Sequence, residues 1–427
     1  MTALVIFGLL TVLMLTGMPI SISLGLTVLT FLFTMTDVPM EAVALKLFTG
    51  IEKFEIMAIP FFILAGNFLT HGGVAKRMIY FATSMVGHLR GGLGLSAVFA
   101  CALFAAVSGS SPATVVAIGS ILLPAMVRAG YPKKFGVGVI ASSGGLGILI
   151  PPSIVMVMYA VSTNSSIGAL FMAGVIPGLL LAFMLGFTTW YVAKKNNYPR
   201  EEPRSWAQRW DAFRKAIWGL LLIVVVMGGI YSGLFTPTEA AAMSAVYAFF
   251  IAVFVYKDIG FKDVPKVLLN SANMSAMLLY IITNAVLFSF ILTNEQIPQA
   301  VAEWIQGSGM GVIGFLIAVN ILLLVMGSFM EPSSIILITA PILFPIAMKL
   351  GIDPVHFGVM ITVNMEIGMI TPPVGLNLYV ASGIAKMGLT DCSKAVGPWL
   401  LTMLVFLMII TYVPAVSIWL PKTLGMM

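Results

Sequence analysis

Apolar residues run through this chain in blocks long enough to cross a bilayer, and polar residues fall mostly between the blocks. A membrane helix needs about 20 predominantly apolar residues. Blocks at 2–17 and 19–35 predict two spans divided at Gly17 to Pro19. After a polar stretch with Glu41 and Lys46, residues 56–70 predict another. Residues 73–90 scatter Lys76, Arg77, His88 and Arg90 among apolar positions, the pattern of a helix lying in the membrane interface. Further spans are expected at 166–193, 216–232, 237–256, 267–292 and 396–420. Four stretches are apolar but interrupted. In 92–128 the interruption is Ser108 to Pro112, and in 311–350 it is Gly327 to Ser334; both predict re-entrant hairpins with the interruption at the tip. In 133–163 and 354–386 it is a Pro-Pro pair, GILIPPSIVMVMY from Gly147 and GMITPPVGLNLYV from Gly368. An interior proline removes a donor, clashes with the preceding turn and pushes its neighbour out of helical geometry. Unwound breaks are therefore expected at Gly147 to Pro152 and Gly368 to Pro373. Freed backbone inside a bilayer persists only where it is buried in protein or lines a cavity.

The interruptions recur at a nearly constant offset. Pro112 and Pro332 stand 220 apart, Pro124 and Pro345 221, Gly136 and Gly358 222, and Pro151 and Pro372 221. The chain is thus expected to be an all-α polytopic membrane protein, with about eleven transmembrane helices, two re-entrant hairpins and an internal repeat.

Composition agrees. The 427 residues are 60% hydrophobic and 9% charged, far from the roughly 25% charged of a soluble domain. The net charge of +6 points to the membrane rather than to nucleic acid, because basic residues flank spans on the cytoplasmic side. Seven cations between Lys194 and Lys215, against Glu201, Glu202 and Asp211, place that loop inside. Arg90 and Arg128 place both ends of the first hairpin inside too, whereas no Lys or Arg occurs between Lys266 and Lys349, so the second hairpin enters from outside. The repeats are therefore expected to be inverted, with both chain termini outside, as in many secondary transporters. The N-terminal block reads as a first span rather than a cleaved signal. Two cysteines and three scattered histidines offer neither a disulfide framework nor a metal cluster. There is no HExxH, P-loop or Ser/His pair at either break, so an enzyme is not expected.

The chemistry concentrates at the two tips and the two breaks. A helix that stops exposes carbonyls, and one that restarts exposes N–H groups. The first tip adds the hydroxyls of Ser108, Ser110, Ser111 and Thr114, and the restart after the first break adds Ser153. Carbonyl and hydroxyl oxygens without a carboxylate suit a hard monovalent cation such as Na+. The second tip carries Ser328, Glu331, Ser333 and Ser334, and its break carries Thr371. Glu331 is either an ion ligand or only the cap of the helix that follows it. Glu366 either tunes an ion site or pairs structurally, and Asn377 faces either substrate or a neighbouring helix. Ser111, Thr114, Ser153, Ser333, Ser334 and Asn377 are the candidate substrate contacts.

The GSSPATVVAIGSILLPAM run from Gly109, the EPSSIILITAPILFPIA run from Glu331 and the two Pro-Pro loops resemble the large membrane subunit of tripartite ATP-independent periplasmic (TRAP) transporters over essentially the whole chain. The resemblance implies an elevator-type sodium symporter of the bacterial inner membrane that imports an organic acid. It implies two partners, a small membrane subunit and an extracytoplasmic substrate-binding protein. It puts one sodium site on Ser108, Ser110, Gly147, Ile150 and Pro152. A second falls on the tip from Gly327 and Ser328 to Glu331, with Gly368, Thr371 and Pro373. Met330 stands near where the first repeat has Ser110, so the two sites are not copies. Overall likeness leans to sialic acid as cargo over C4-dicarboxylates. A stand-alone sodium/carboxylate carrier is the alternative within transport. The implied organisation is a scaffold with arm helices (1–91), a first transport half (92–165), scaffold helices (166–310), a second transport half (311–390) and a C-terminal span (391–427).

Overall fold

The computed structural model describes residues 2–36, 38–307 and 311–427, and the described residues form helices without a β-strand. The helices follow the apolar blocks. α1 (Thr2–Leu15) and α2 (Ile20–Met35) are separated at Gly17 to Pro19. α3 (Met40–Thr49) fills the stretch read as polar, and a single 3-10 turn, Phe54–Met57, leads into α4 (Ala58–His71). α5 (Val74–Val86) is the amphipathic segment, and its apolar face (Val74, Ala75, Met78, Ile79, Ala82) is buried against α6 (Gly92–Ser108) and α12 (Trp206–Tyr231). α6 and α7 (Ser111–Arg128) form the first hairpin. α8 (Lys133–Gly144), α9 (Leu146–Leu149) and α10 (Ile154–Thr163) form the first broken helix, bent by 41°. α11 (Ile167–Lys195), α12, α13 (Pro237–Phe250, continued to Val255 by a π-helical turn) and α14 (Val264–Asn294) are spans, and α15 (Ile297–Gly307) is amphipathic. α16 (Val312–Gly327) and α17 (Pro332–Lys349) make the second hairpin, and α18 (Pro354–Gly368) and α19 (Leu376–Ala385) the second broken helix. α20 (Leu389–Tyr412) and α21 (Ala415–Thr423) end the chain.

Among the described residues, eight helices are individually long and apolar enough to cross a membrane, nine if the bent pair of the first broken helix counts as one span. The expected figure of about eleven includes shorter apolar helices such as α1 and α2. Two expectations need correcting. The 194–215 loop is helical from Trp206, because Ser205 and Gln208 form a capping box that starts α12 in the polar stretch. The last span lies at Leu389–Tyr412 and stops short of 420, where Pro414 separates it from α21.

The most enclosed helices are the first halves of the two broken ones. Every residue from Phe135 to Gly144 in α8 and from Val355 to Gly368 in α18 is buried. Helices buried on all sides form the centre of the fold, and the polar side chains they carry there are buried with them. Asn364 of α18 donates to Asn320 of α16 (2.8 Å), and Asn320 donates to Thr411 of α20 (3.0 Å), a buried polar relay that fixes three helices in register. The two repeats pack by exchange. α10 of the first lies on α17 of the second, while the corresponding α19 of the second lies on α7 of the first. Such reciprocal contact is the mark of a two-fold relation. A separate apolar cluster joins α1 and α2 to α14 through Ile6, Leu10, Leu24, Val28, Phe288 and Ile291.

Candidate functional site

In the first repeat the hairpin tip and the helix break meet. α6 ends at Ser108, Gly109 takes φ +60°, and Ser110 leads into α7. A left-handed φ suits glycine here, and space requires it as well, since a Cβ on Gly109 would stand 2.9 Å from the Pro152 carbonyl oxygen. The Gly109 carbonyl accepts the first free N–H of α10, that of Ile154, at 3.5 Å. The Ser110 carbonyl accepts from the Thr114 hydroxyl at 2.8 Å, and the Ser108 and Thr114 hydroxyl oxygens lie 3.0 Å apart. Gly147 presses on this group, where a Cβ would sit 2.7 Å from the Ser110 oxygen and 2.8 Å from Thr114 Oγ1. The oxygens of Ser108, Ser110 and Thr114 therefore converge, with the Cα of Gly147 against them and the Pro152 carbonyl oxygen beside Gly109. Ser110 presents its carbonyl to this set.

The first break is displaced from the expected Gly147 to Pro152. Gly147 lies in the helical turn α9, and the unwound residues are Ile150 to Ser153. The helix runs on because the clash of a proline acts on the residues just before it. Ile150 turns its side chain to Gly178 of α11, so only its backbone is available to the centre. Ser153 caps α10, its hydroxyl donating to the Ile148 carbonyl (2.5 Å) and accepting from the Met156 N–H (3.3 Å).

The second junction is built from backbone. Gly327 ends α16 and Gly368 ends α18, and a Cβ on Gly368 would come within 2.6 Å of Gly327 Cα. The Ser328 carbonyl accepts from the N–H groups of Val374 and Gly375, both at 3.2 Å. The break spans Met369 to Gly375, later than the expected Gly368 to Pro373. Both Pro-Pro bonds are cis. Thr371 donates to Ile367 (2.7 Å) and Ser328 to Val325 (2.7 Å), so both hydroxyls close their own helix ends. Glu331 accepts from the Ser334 N–H (3.0 Å) and hydroxyl (2.9 Å), the geometry of the capping alternative. Ser333 is buried beside it. Pro372, Pro373 and Val374 are exposed, whereas Pro151, Pro152 and Ser153 are buried.

Asn377 lies against two neighbouring helices. Its amide nitrogen donates to Ser111 Oγ (2.7 Å) and to the Ala141 carbonyl (3.2 Å), tying α19 to the first hairpin and to α8. Its side-chain oxygen is buried without a partner. Glu366 makes no pair either. It is fully buried with both oxygens unpartnered, and packs on Gly145, where a Cβ would stand 2.6 Å from Oε1. The hydroxyls of Ser142 and Ser143, one turn earlier, are also buried and unpartnered. The candidate set did not include Ala141, Ser142, Ser143 and Gly145. Their only signal was an SSGG run inside an apolar stretch. Among the described residues, no three His, Cys, Asp or Glu side chains come together, and the oxygens that converge at the first junction are hydroxyls and a carbonyl, a donor set that suits a hard monovalent cation.

Thr114→Val tests the first junction at constant shape. It removes the hydroxyl shared by Ser108 and Ser110, which costs about 1 kcal/mol. The expected result is an unfolding midpoint lower by a few degrees and activity reduced severalfold; activity and midpoint equal to wild type would show that the hydroxyl does not hold the tip.

Comparison with known proteins follows the same lines. The model of the family described as tripartite ATP-independent periplasmic transporter, DctM component, matches residues 7–416. The C4-dicarboxylate TRAP transporter large permease protein DctM of Rhodobacter capsulatus is 73% identical over 440 residues, covering 100% of both chains. The sialic acid TRAP transporter large permease protein SiaM of Vibrio cholerae is 36% identical and covers 95% of each. In fold, the chain is similar to the YdaH transporter of Alcanivorax borkumensis, a crystal structure of unusual topology, with a TM-score of 0.61, 16% identity, and coverage of 92% of this chain and 89% of that one. The lean toward sialic acid is not supported, because the relative with that cargo is far less similar than the C4-dicarboxylate one.

Proposed function

This chain belongs to the DctM family of tripartite ATP-independent periplasmic transporters, and from that premise we propose that it carries a C4-dicarboxylate inward, driven by sodium. It is a multi-pass transporter permease and not an enzyme. Support for the substrate class is the 73% identity to a permease named for C4-dicarboxylates. Support for sodium is the first junction, where Ser108, Ser110 and Thr114 bring hydroxyl and carbonyl oxygens together against Gly147. The second junction takes a second sodium mainly on the backbone oxygens around Gly327, Ser328 and Gly368. In this reading the hairpins and broken helices move as one body past α4 and α11 to α14, an elevator motion that the reciprocal packing of α10 on α17 and α19 on α7 keeps rigid. A small membrane subunit braces the outer helices, and an extracytoplasmic binding protein delivers the acid to this permease in the inner membrane.

The test is uptake of labelled succinate into proteoliposomes holding the permease with both partner proteins, at varied sodium gradients. Uptake is expected to follow the gradient and to be unmoved by sialic acid. Accumulation that ignores sodium would overturn the coupling. Two variants then separate the roles at the second tip. Glu331→Ala removes a cap, costing roughly 1 kcal/mol, and slows uptake. Glu331→Gln keeps an acceptor for Ser334 and is expected to leave the half-saturating sodium concentration within about threefold of wild type, a shift under 1 kcal/mol. A rise of tenfold or more in Glu331→Gln would make the carboxylate an ion ligand in addition to a cap.

A further inference from the structure

We infer that Lys46 and Lys53 form an anion site at the extracytoplasmic face, where a dicarboxylate is held before it reaches the junctions. The site rests on the substrate reading above and deepens it. A cavity of about 230 Å³ lies between α3, α10, α14 and α17, and both lysines line it with the hydroxyl-bearing Thr49, Ser162 and Ser289. Liquid water takes about 30 Å³ a molecule, so the space admits a small organic dianion with a few waters. A second cavity of about 150 Å³ shares Lys53 and Val161.

Position argues for cargo. α11 starts beside Asn164 and runs 29 residues to Lys195 in the basic stretch, about 43 Å of helix. Lys53 reaches Asn164, so the cavity sits at the membrane face opposite the cytoplasmic loop. Ser162 stands nine residues beyond Ser153 on α10, about 14 Å outward of the first break. Leu337 and Pro341 line the cavity from the same helix that begins at the second tip. The space thus opens between helices assigned to the moving body and helices assigned to the scaffold, on the side from which the acid arrives.

Charge argues for an anion. Cations are rare on the outer face of a membrane protein, yet two share this one cavity. Lys53 Nζ donates to the Val161 carbonyl (2.9 Å) and to Asn164 Oδ1 (2.7 Å), both neutral. Lys46 Nζ lies 5.4 Å from the centre of the Phe290 ring. Among the described residues neither lysine has a carboxylate within ion-pair distance, although Glu55 lines the adjoining cavity. Glu41, Glu52 and Glu55 share this segment of the chain but, among the described residues, none is directly paired with either lysine, and two ammoniums lining one cleft favour a doubly charged ligand over a singly charged one. The site would therefore select dicarboxylates by charge before shape is read deeper in.

The experiment uses the purified permease with its small subunit, without the binding protein, so that docking of that protein plays no part. A ligand that binds the folded state raises the unfolding midpoint, and the rise grows with the logarithm of its concentration relative to Kd. Succinate is expected to stabilise the wild type, and butyrate, with one charge, is not. Lys46→Gln and Lys53→Gln should each require at least tenfold more succinate for the same shift, the double variant more still, and Lys53→Arg should stay within threefold of wild type. Lys46 is exposed and caps no helix, so its variant folds irrespective of Lys53. Equal succinate dependence in wild type and double variant overturns the site. So does a Lys53→Gln permease whose maximal uptake falls while succinate binding is unchanged, since Lys53 then only fastens the end of α10. If wild-type proteoliposomes take up no succinate, the substrate reading falls and the site with it; if they do and the double variant still binds normally, only the site falls.

Discussion

Gly368→Ala is expected to cut sodium-driven succinate uptake by about two orders of magnitude while the permease still inserts and purifies as a single species. The reason is space. A Cβ at 368 would lie 2.6 Å from Gly327 Cα, 2.7 Å from its carbonyl carbon and 2.9 Å from its oxygen. These are backbone atoms that cannot swing aside as the end of a long side chain can. Forcing an extra carbon into a packed interior costs typically 1–3 kcal/mol, and here relief comes only by parting the tip from the break. The Ser328 carbonyl, which ties Val374 and Gly375 to the tip at 3.2 Å, is displaced in the same movement. A change of 1.4 kcal/mol is already tenfold in an equilibrium, so the functional loss exceeds the loss of fold. Gly383→Ala is the control, because on α19 its Cβ would meet nothing within 4 Å. The measurement is initial uptake rate per inserted protein; a Gly368→Ala permease at half the wild-type rate or better would show that the glycine contact is dispensable.

Asn377→Leu should have the next largest effect, and on stability first. The substitution deletes the hydrogen bonds to Ser111 and Ala141 and leaves the Ala141 carbonyl buried without that donor. At about 1–1.5 kcal/mol for each bond, with the cost of an unmet buried acceptor added, the loss is about 2–4 kcal/mol. Because the bonds join the two repeats, uptake should fall with the unfolding midpoint, by about tenfold or more. Ser111→Ala removes one of the two bonds and should cost about 1 kcal/mol. The double variant distinguishes coupling from coincidence: residues in contact are non-additive, so Ser111→Ala should add little once Asn377 is gone. Fully additive losses would mean that the contact does not carry the link between halves.

Much of this architecture is legible in the order of residues. The hairpin tips were placed correctly at Ser108 to Pro112 and Gly327 to Ser334, because each polar run there is bracketed by a glycine that ends one helix and a proline that starts the next. The Pro-Pro breaks were placed to within about three residues, the uncertainty being how far a helix runs on before proline stops it. The start of α12 was missed although its capping box is written at Ser205 and Gln208, since hydropathy is blind to a helix that begins in water. Glu331 illustrates the limit of local reading. Its place at a helix start fits a cap and an ion ligand equally, and the choice depends on which groups come within 3 Å.

Sequence alone determined what depends on short-range physics: membrane insertion, helices, hairpins, breaks and a duplicated pattern all follow from a residue and its near neighbours. Tertiary structure alone decided which landmarks meet. The exchange of α10 and α19 between repeats, the contact of Gly327 with Gly368, the bond from Asn377 to a serine 266 positions away and the pairing of Lys46 with Lys53 in one cavity are all contacts across the fold. No periodicity encodes them, because each arises only when helices distant in the chain pack, and packing is set by the summed complementarity of whole surfaces rather than by any one stretch.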